Sequence, residues 1–97
     1  MTYDMIHCNA LDIDKHLIEK SVHCVVTSPP YYSLRDYGIP PTRWPDGWVG
    51  CLGLEPTPNQ FITHLCDIFD SIKKVLRDDG TLWINLGDTF AGGGGIT

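Results

Sequence analysis

A hydroxyl, two prolines and a phenol stand in a row at Ser28-Pro29-Pro30-Tyr31. The Ser28 oxygen and the Pro29 backbone carbonyl are neighbouring acceptors for N–H hydrogen bonds. Proline has a fixed φ and no N–H, so the pair holds these acceptors rigid. Two fixed acceptors can pin an amino group, and an aromatic ring beside them can stack on a planar ligand. Such an arrangement would act by orientation and by electrostatics matched to the transition state. The same four residues also suit a plain surface turn after a strand, and alone they do not decide between the two.

The elements around this segment say where it sits. Met5-Ile6-His7-Cys8 reads as a short strand, and Asn9-Ala10 leads into a weakly helical stretch from Leu11 to Lys20. Val22 to Thr27 reads as a second strand, apolar enough to be buried on both faces. Residues 28–56 form a long loop rich in Pro, Gly and aromatics, including Tyr31, Tyr32, Trp44 and Trp48. Long loops in compact domains are usually functional or disordered. Trp44 and Trp48 read as packing for this loop. Thr57-Pro58-Asn59-Gln60 has the form of a capping box, and apolar residues recur from Phe61 to Leu76 at helical spacing. Lys73, Lys74 and Arg77 suit the helix's last turns, and Gly80 is its expected stop. Thr81 to Gly87 reads as a third strand.

This alternation predicts an α/β fold: three parallel strands, two helices and the long loop. Ligands of such sheets bind past the strands' carboxyl ends. Asn9, Ser28 and Asp88 each follow such an end. Thr27, Asn85 and Asp88 are candidates for supporting the pocket, although capping and turn formation are plainer roles for Asn85 and Asp88. Asn9 reads equally well as a helix N-cap.

Val26-Thr27-Ser28-Pro29-Pro30-Tyr31 resembles the catalytic loop of DNA amino-methyltransferases. In that loop Asp, Asn or Ser precedes Pro-Pro and an aromatic residue. The Thr-Ser-Pro-Pro-Tyr form resembles the permuted beta class, which places its catalytic half before its cofactor half. Leu34-Arg35-Asp36-Tyr37-Gly38, Glu55-Pro56-Thr57-Pro58 and Gly80-Thr81-Leu82-Trp83-Ile84-Asn85-Leu86-Gly87-Asp88 extend the resemblance over nearly the whole chain.

The resemblance implies a partial Rossmann-like methyltransferase sheet. Residues 1–97 would be the N-terminal, incomplete part of a catalytic domain whose long catalytic loop is about 28–56. It implies S-adenosyl-L-methionine-dependent methylation of an exocyclic amino group on DNA, by Ser28, Pro29, Pro30 and Tyr31. Cytosine N4 is the favoured target and adenine N6 the alternative, while a non-catalytic remnant or interaction module remains a third reading. Tyr31 would stack on a base taken out of the duplex. Ile6-His7-Cys8-Asn9-Ala10-Leu11 resembles the family's first strand and turn, which lies near the cofactor, with Cys8 and Asn9 in place of Gly and Asp. Phe90-Ala91-Gly92-Gly93-Gly94 fits the Phe-x-Gly-x-Gly cofactor loop, but the strand before it resembles the catalytic half, which favours a plain loop there. No Cys follows a Pro, which argues against methylation at cytosine C5.

Composition sets the outer limits. Of 97 residues, 42% are hydrophobic, so disorder is not the expectation. The net charge of −5 gives this segment little grip on phosphates, so DNA would be held through a recognition region elsewhere. The four cysteines form no C-x-x-C pair, and no metal site is expected. There is neither a signal-peptide pattern nor a spanning apolar run, which points to a cytoplasmic protein, and the resemblance implies one of prokaryote or phage type. Open sheet edges favour a complementing polypeptide or self-association. The isolated chain is expected to be inactive and to lack the binding half for its cofactor.

Overall fold

The computed structural model describes residues 2–33, 36 and 38–87. In order come a 3-10 helix (Ala10–Lys15), strands β1 (Val22–Thr27), β2 (Thr42–Arg43) and β3 (Val49–Gly50), helix α1 (Pro58–Val75) and strand β4 (Leu76–Ile84). They make two two-stranded sheets, β1 with β4 and β2 with β3. Contacts divide the chain into one unit of Met1–Val26 with Cys66–Trp83 and a second of Thr27–Leu65 with Ile84–Thr97.

In the first unit the Lys20 N–H donates to the Lys74 carbonyl at 3.1 Å, so β1 and β4 are entered side by side. In the second the Asn85 N–H donates to the Thr27 carbonyl at 3.0 Å, so they are left side by side. Strands that begin and end together run the same way, and the crossover between them contains α1, as a parallel pair requires.

The expected third strand is not formed. Met5–Cys8 lies outside both sheets, and Met5 is 91% exposed. An apolar run becomes a strand only where a neighbour takes up its backbone hydrogen bonds, and no sheet takes in this one. The helix expected over Leu11–Lys20 is instead the short 3-10 helix. Nor is β1 buried on both faces, since Val26 is 78% exposed; one partner strand cannot cover both sides.

Helix α1 forms as its sequence dictates. The Thr57 carbonyl accepts from Phe61 N–H at 3.2 Å and its hydroxyl from Gln60 N–H at 3.2 Å, which makes Thr57 the N-cap. The reciprocal half of the box is diverted, because the Gln60 side chain donates to Asp46 Oδ2 at 3.3 Å. Phe61 and Leu65 are buried in the second unit, Ile72 and Val75 in the first. The helix stops at Val75, before Gly80. A Cβ on Gly80 would lie 2.8 Å from Leu76 Cδ1. Residues four apart in an extended strand are separated by roughly 13 Å, so the chain is sharply bent within the first half of β4. Gly80 permits that bend rather than capping the helix.

The loop of residues 28–56 is not featureless. Thr42 pairs with Gly50 and Arg43 with Val49, antiparallel. Between them Trp44 N–H donates to the Trp48 carbonyl and Gly47 N–H to the Trp44 carbonyl, both at 2.9 Å. The Asp46 side chain closes the turn by accepting from Trp48 N–H at 2.9 Å. Among the described residues, no helix is long and apolar enough to cross a membrane.

Candidate active site

The candidate site belongs to the second unit. Ser28 is exposed, one residue past β1. Its hydroxyl makes a long hydrogen bond, 3.5 Å, to the Asn85 carbonyl, while Asn85 N–H holds the Thr27 carbonyl. Thr27, Ser28 and Asn85 are thus brought together where β1 and β4 end. A hydroxyl that donates to a protein carbonyl keeps its lone pairs available to accept.

Glycines hem in Tyr31. A Cβ on Gly87 would lie 2.5 Å from Tyr31 Cε2, so the phenol ring rests directly on the Gly87 backbone. Gly53, with φ +97°, approaches from the main-chain side, where a Cβ would lie 3.1 Å from the Tyr31 carbonyl oxygen. A side chain at Gly53 would be both strained and crowded. The residues after Tyr31 are anchored in turn. Tyr32 donates its hydroxyl to the Glu55 carbonyl at 3.2 Å, and Ser33 N–H donates to the Gly53 carbonyl at 2.7 Å. Beside this turn lies a cavity of about 540 Å³, lined by Tyr32, Ser33, Pro58, Phe61, Leu86 and Gly87 among others. That volume lies within the range of small-ligand sites.

Sequence reasoning missed the most buried polar cluster. His64 on α1 is 0% exposed. Its Nδ1 lies 2.7 Å from Glu55 Oε2 and its Nε2 2.6 Å from Asp46 Oδ2. The Trp44 and Trp48 rings stack with the imidazole at 4.4 and 5.4 Å, nearly parallel to it. Glu55, also buried, accepts the Gly53 N–H at 2.8 Å with its other oxygen. Burial pushes the His64 pKa down, but hydrogen bonds and charge from Glu55 and Asp46 outweigh it and leave the pKa raised. The Asp46 carboxyl is held below its ordinary value, first by the Trp48 N–H and then, against some desolvation, by His64 and Gln60. The two tryptophans therefore do pack the loop, and they do so around a histidine.

The other sequence candidates lie elsewhere. Asn9 is in the first unit, where its side-chain oxygen accepts the Leu11 N–H at 3.0 Å and caps the 3-10 helix. Asp88 and the glycines at 92–95 lie outside the described residues. Among the described residues, no cluster of three or more His, Cys, Asp or Glu side chains is arranged to hold a metal.

A family model described as DNA methylase matches residues 22–93. The chain belongs to the DNA methylase family. The match takes in Ser28 to Tyr31, the hairpin, α1 and β4. Among curated relatives, the Type II methyltransferase M.Cfr9I of Citrobacter freundii is 46% identical over 85 residues, 88% of this chain and 25% of its own length. M.XycI of Xanthomonas campestris pv. cyanopsidis is 48% identical over the same shares. M.SmaI of Serratia marcescens is 48% identical over 71 residues, 73% of this chain and 21% of its own. The chain thus spans about a quarter of the length of these relatives. No solved structure matches it.

Proposed function

We propose that this chain is the N-terminal, catalytic-motif part of a permuted, Thr-Ser-Pro-Pro-Tyr type DNA amino-methyltransferase, with its catalytic loop over about residues 28–56. The observation that carries the reading is Ser28, exposed at the ends of two parallel strands with its hydroxyl oxygen 3.5 Å from the Asn85 carbonyl. An exocyclic amino nitrogen is a poor nucleophile because its lone pair delocalises into the ring. In this reading Ser28 Oγ and the Pro29 carbonyl each accept one of its N–H bonds. They favour a tetrahedral nitrogen and aim its lone pair. Pro30 keeps the turn rigid, and Tyr31 stacks on the extruded base.

The methyl donor in this reading is S-adenosylmethionine. Asn9, the cofactor candidate, has its side-chain oxygen engaged by the Leu11 N–H of its own helix. Residues Ser28 to Tyr31 are assigned the amino-group side of the reaction. Ser28 leans the choice of base to cytosine N4 over adenine N6. DNA contact and a cytoplasmic setting belong to the same proposal.

The test uses the full protein that carries this segment. Ser28→Ala should slow single-turnover methyl transfer by about 30- to 1000-fold, the worth of roughly 2–4 kcal/mol for one oriented hydrogen-bonding group. Near-normal turnover would refute the role of Ser28. Digestion of the methylated DNA to nucleosides then reads the base: N4-methylcytosine supports the proposal and N6-methyladenine replaces its target.

A further inference from the structure

His64 is the one fully buried side chain on the described surface of α1 that carries a titratable group, and the proposed chemistry makes no use of it. Each of its ring nitrogens meets a carboxylate oxygen within 2.7 Å. An ionised carboxylate only accepts hydrogen bonds, so a ring set between two of them is matched to them when both of its nitrogens carry protons. Charged groups face the ring from two sides: Asp46 from the hairpin turn and Glu55 from the chain before α1. The Trp44 and Trp48 rings cover its faces, an arrangement that favours a cation.

Glu55 passes this fixation on. One carboxylate oxygen holds His64, and the other accepts the Gly53 N–H. The Gly53 carbonyl holds Ser33 N–H, and the Glu55 carbonyl holds the Tyr32 hydroxyl. Both residues directly after Tyr31 are therefore tied to the segment that His64 grips. We infer that His64 is a positioning residue for the Ser28–Tyr31 loop, acting through Glu55 and Gly53 on Ser33 and Tyr32. The inference rests on the loop being catalytic only for its consequence; the coupling itself is a property of the folded chain. The raised His64 pKa agrees with the geometry. The clasp is closed while the ring is charged and opens as pH rises through that raised value.

The test is an NMR titration of the isotopically labelled 97-residue chain from pH 5 to 9. The expected result has three parts. The His64 ring is doubly protonated at neutral pH. Its midpoint lies above the ordinary 6.5. The Ser33 amide and the Tyr31 and Tyr32 ring signals shift with that same midpoint. A ring that only fills space would leave the tyrosine and Ser33 signals flat. Flat signals, a neutral ring at pH 7, or a His64 midpoint at the ordinary value would each overturn the inference. In Glu55→Gln the Ser33 and tyrosine shifts should be lost while the His64 ring still titrates; their persistence would show that the coupling runs by another route. None of these readings depends on turnover, so they stand apart from the Ser28→Ala experiment that tests the catalytic assignment.

Discussion

Two side-chain clusters on α1 fasten neighbouring segments of the chain by different means. In the first unit Asp14, in the 3-10 helix, accepts from Ser71 Oγ at 2.9 Å and from Lys74 Nζ at 3.4 Å. The Lys74 side chain is 67% exposed, so water and salt compete with this tie at every moment. In the second unit the His64 ring is fully buried against two indoles and the equally buried Glu55 carboxylate, while the Asp46 carboxylate on its other nitrogen keeps 32% exposure. The first cluster can be loosened without leaving a stranded charge. The second is costly to leave half-made, because an unpaired buried charge keeps its full desolvation penalty.

The comparison breaks most directly at His64→Ala. That change removes the partner of a buried carboxylate and opens a void between Trp44 and Trp48. A loss of about 3–5 kcal/mol in unfolding free energy is expected, the usual cost of removing one member of a buried pair. Urea unfolding followed by tryptophan fluorescence reads it, since both indoles flank the site. A loss under about 1 kcal/mol would mean that the cluster holds nothing.

Part of this was legible in the sequence and part was not. Thr57, Pro58 and the stripe from Phe61 onward announced α1 because capping and helical periodicity are local properties. Ser28 at the end of β1 followed from one apolar run. The hairpin was missed although Pro45-Asp46-Gly47 is a turn signature. Its two-residue strands are too short to show alternation, and the many prolines around them read as plain loop. His64 was legible in principle: it falls three residues after Phe61, on the buried stripe, where a titratable group needs partners. Those partners, Asp46 and Glu55, lie 18 and 9 residues away, and only folding brings them together. Met5–Cys8 failed for the converse reason. Its residue types suit a strand, but a strand also needs a neighbour.

A pH series sharpens the comparison with a smaller effect. The folded pKa of His64 is raised, so its contribution is fully present below the ordinary 6.5 and is lost as pH rises through the raised value. The folded pKa of Asp46 is lowered, so its contribution is present above the ordinary 3.8 and is lost as pH falls through the lowered value. Stability should therefore be greatest between those limits and decline on the alkaline side. Urea midpoints measured from pH 5 to 9 should fall in the native chain and change less in His64→Gln. Parallel curves for the two would assign the decline to other groups.

The smallest effect is expected at the exposed cluster, in Lys74→Ala. Lys74 contributes an ion pair that is 3.4 Å long and largely open to solvent, and pairs of that kind are worth about 0–1 kcal/mol. Alanine has the better helix propensity and offsets part of the loss, since Lys74 lies in the last turn of α1. The favourable interaction of a cation with the helix C-terminus is lost as well, and it too is small at an exposed site. These terms nearly cancel, so a change within about 0.5 kcal/mol is expected. Denaturation at low and high salt separates them: the native chain should lose slightly more stability in salt than Lys74→Ala does, because only the native chain has the pair to screen. A cost above about 1.5 kcal/mol would show that the Asp14 cluster is as firmly set as the histidine clasp. It would remove the contrast between the two fastenings.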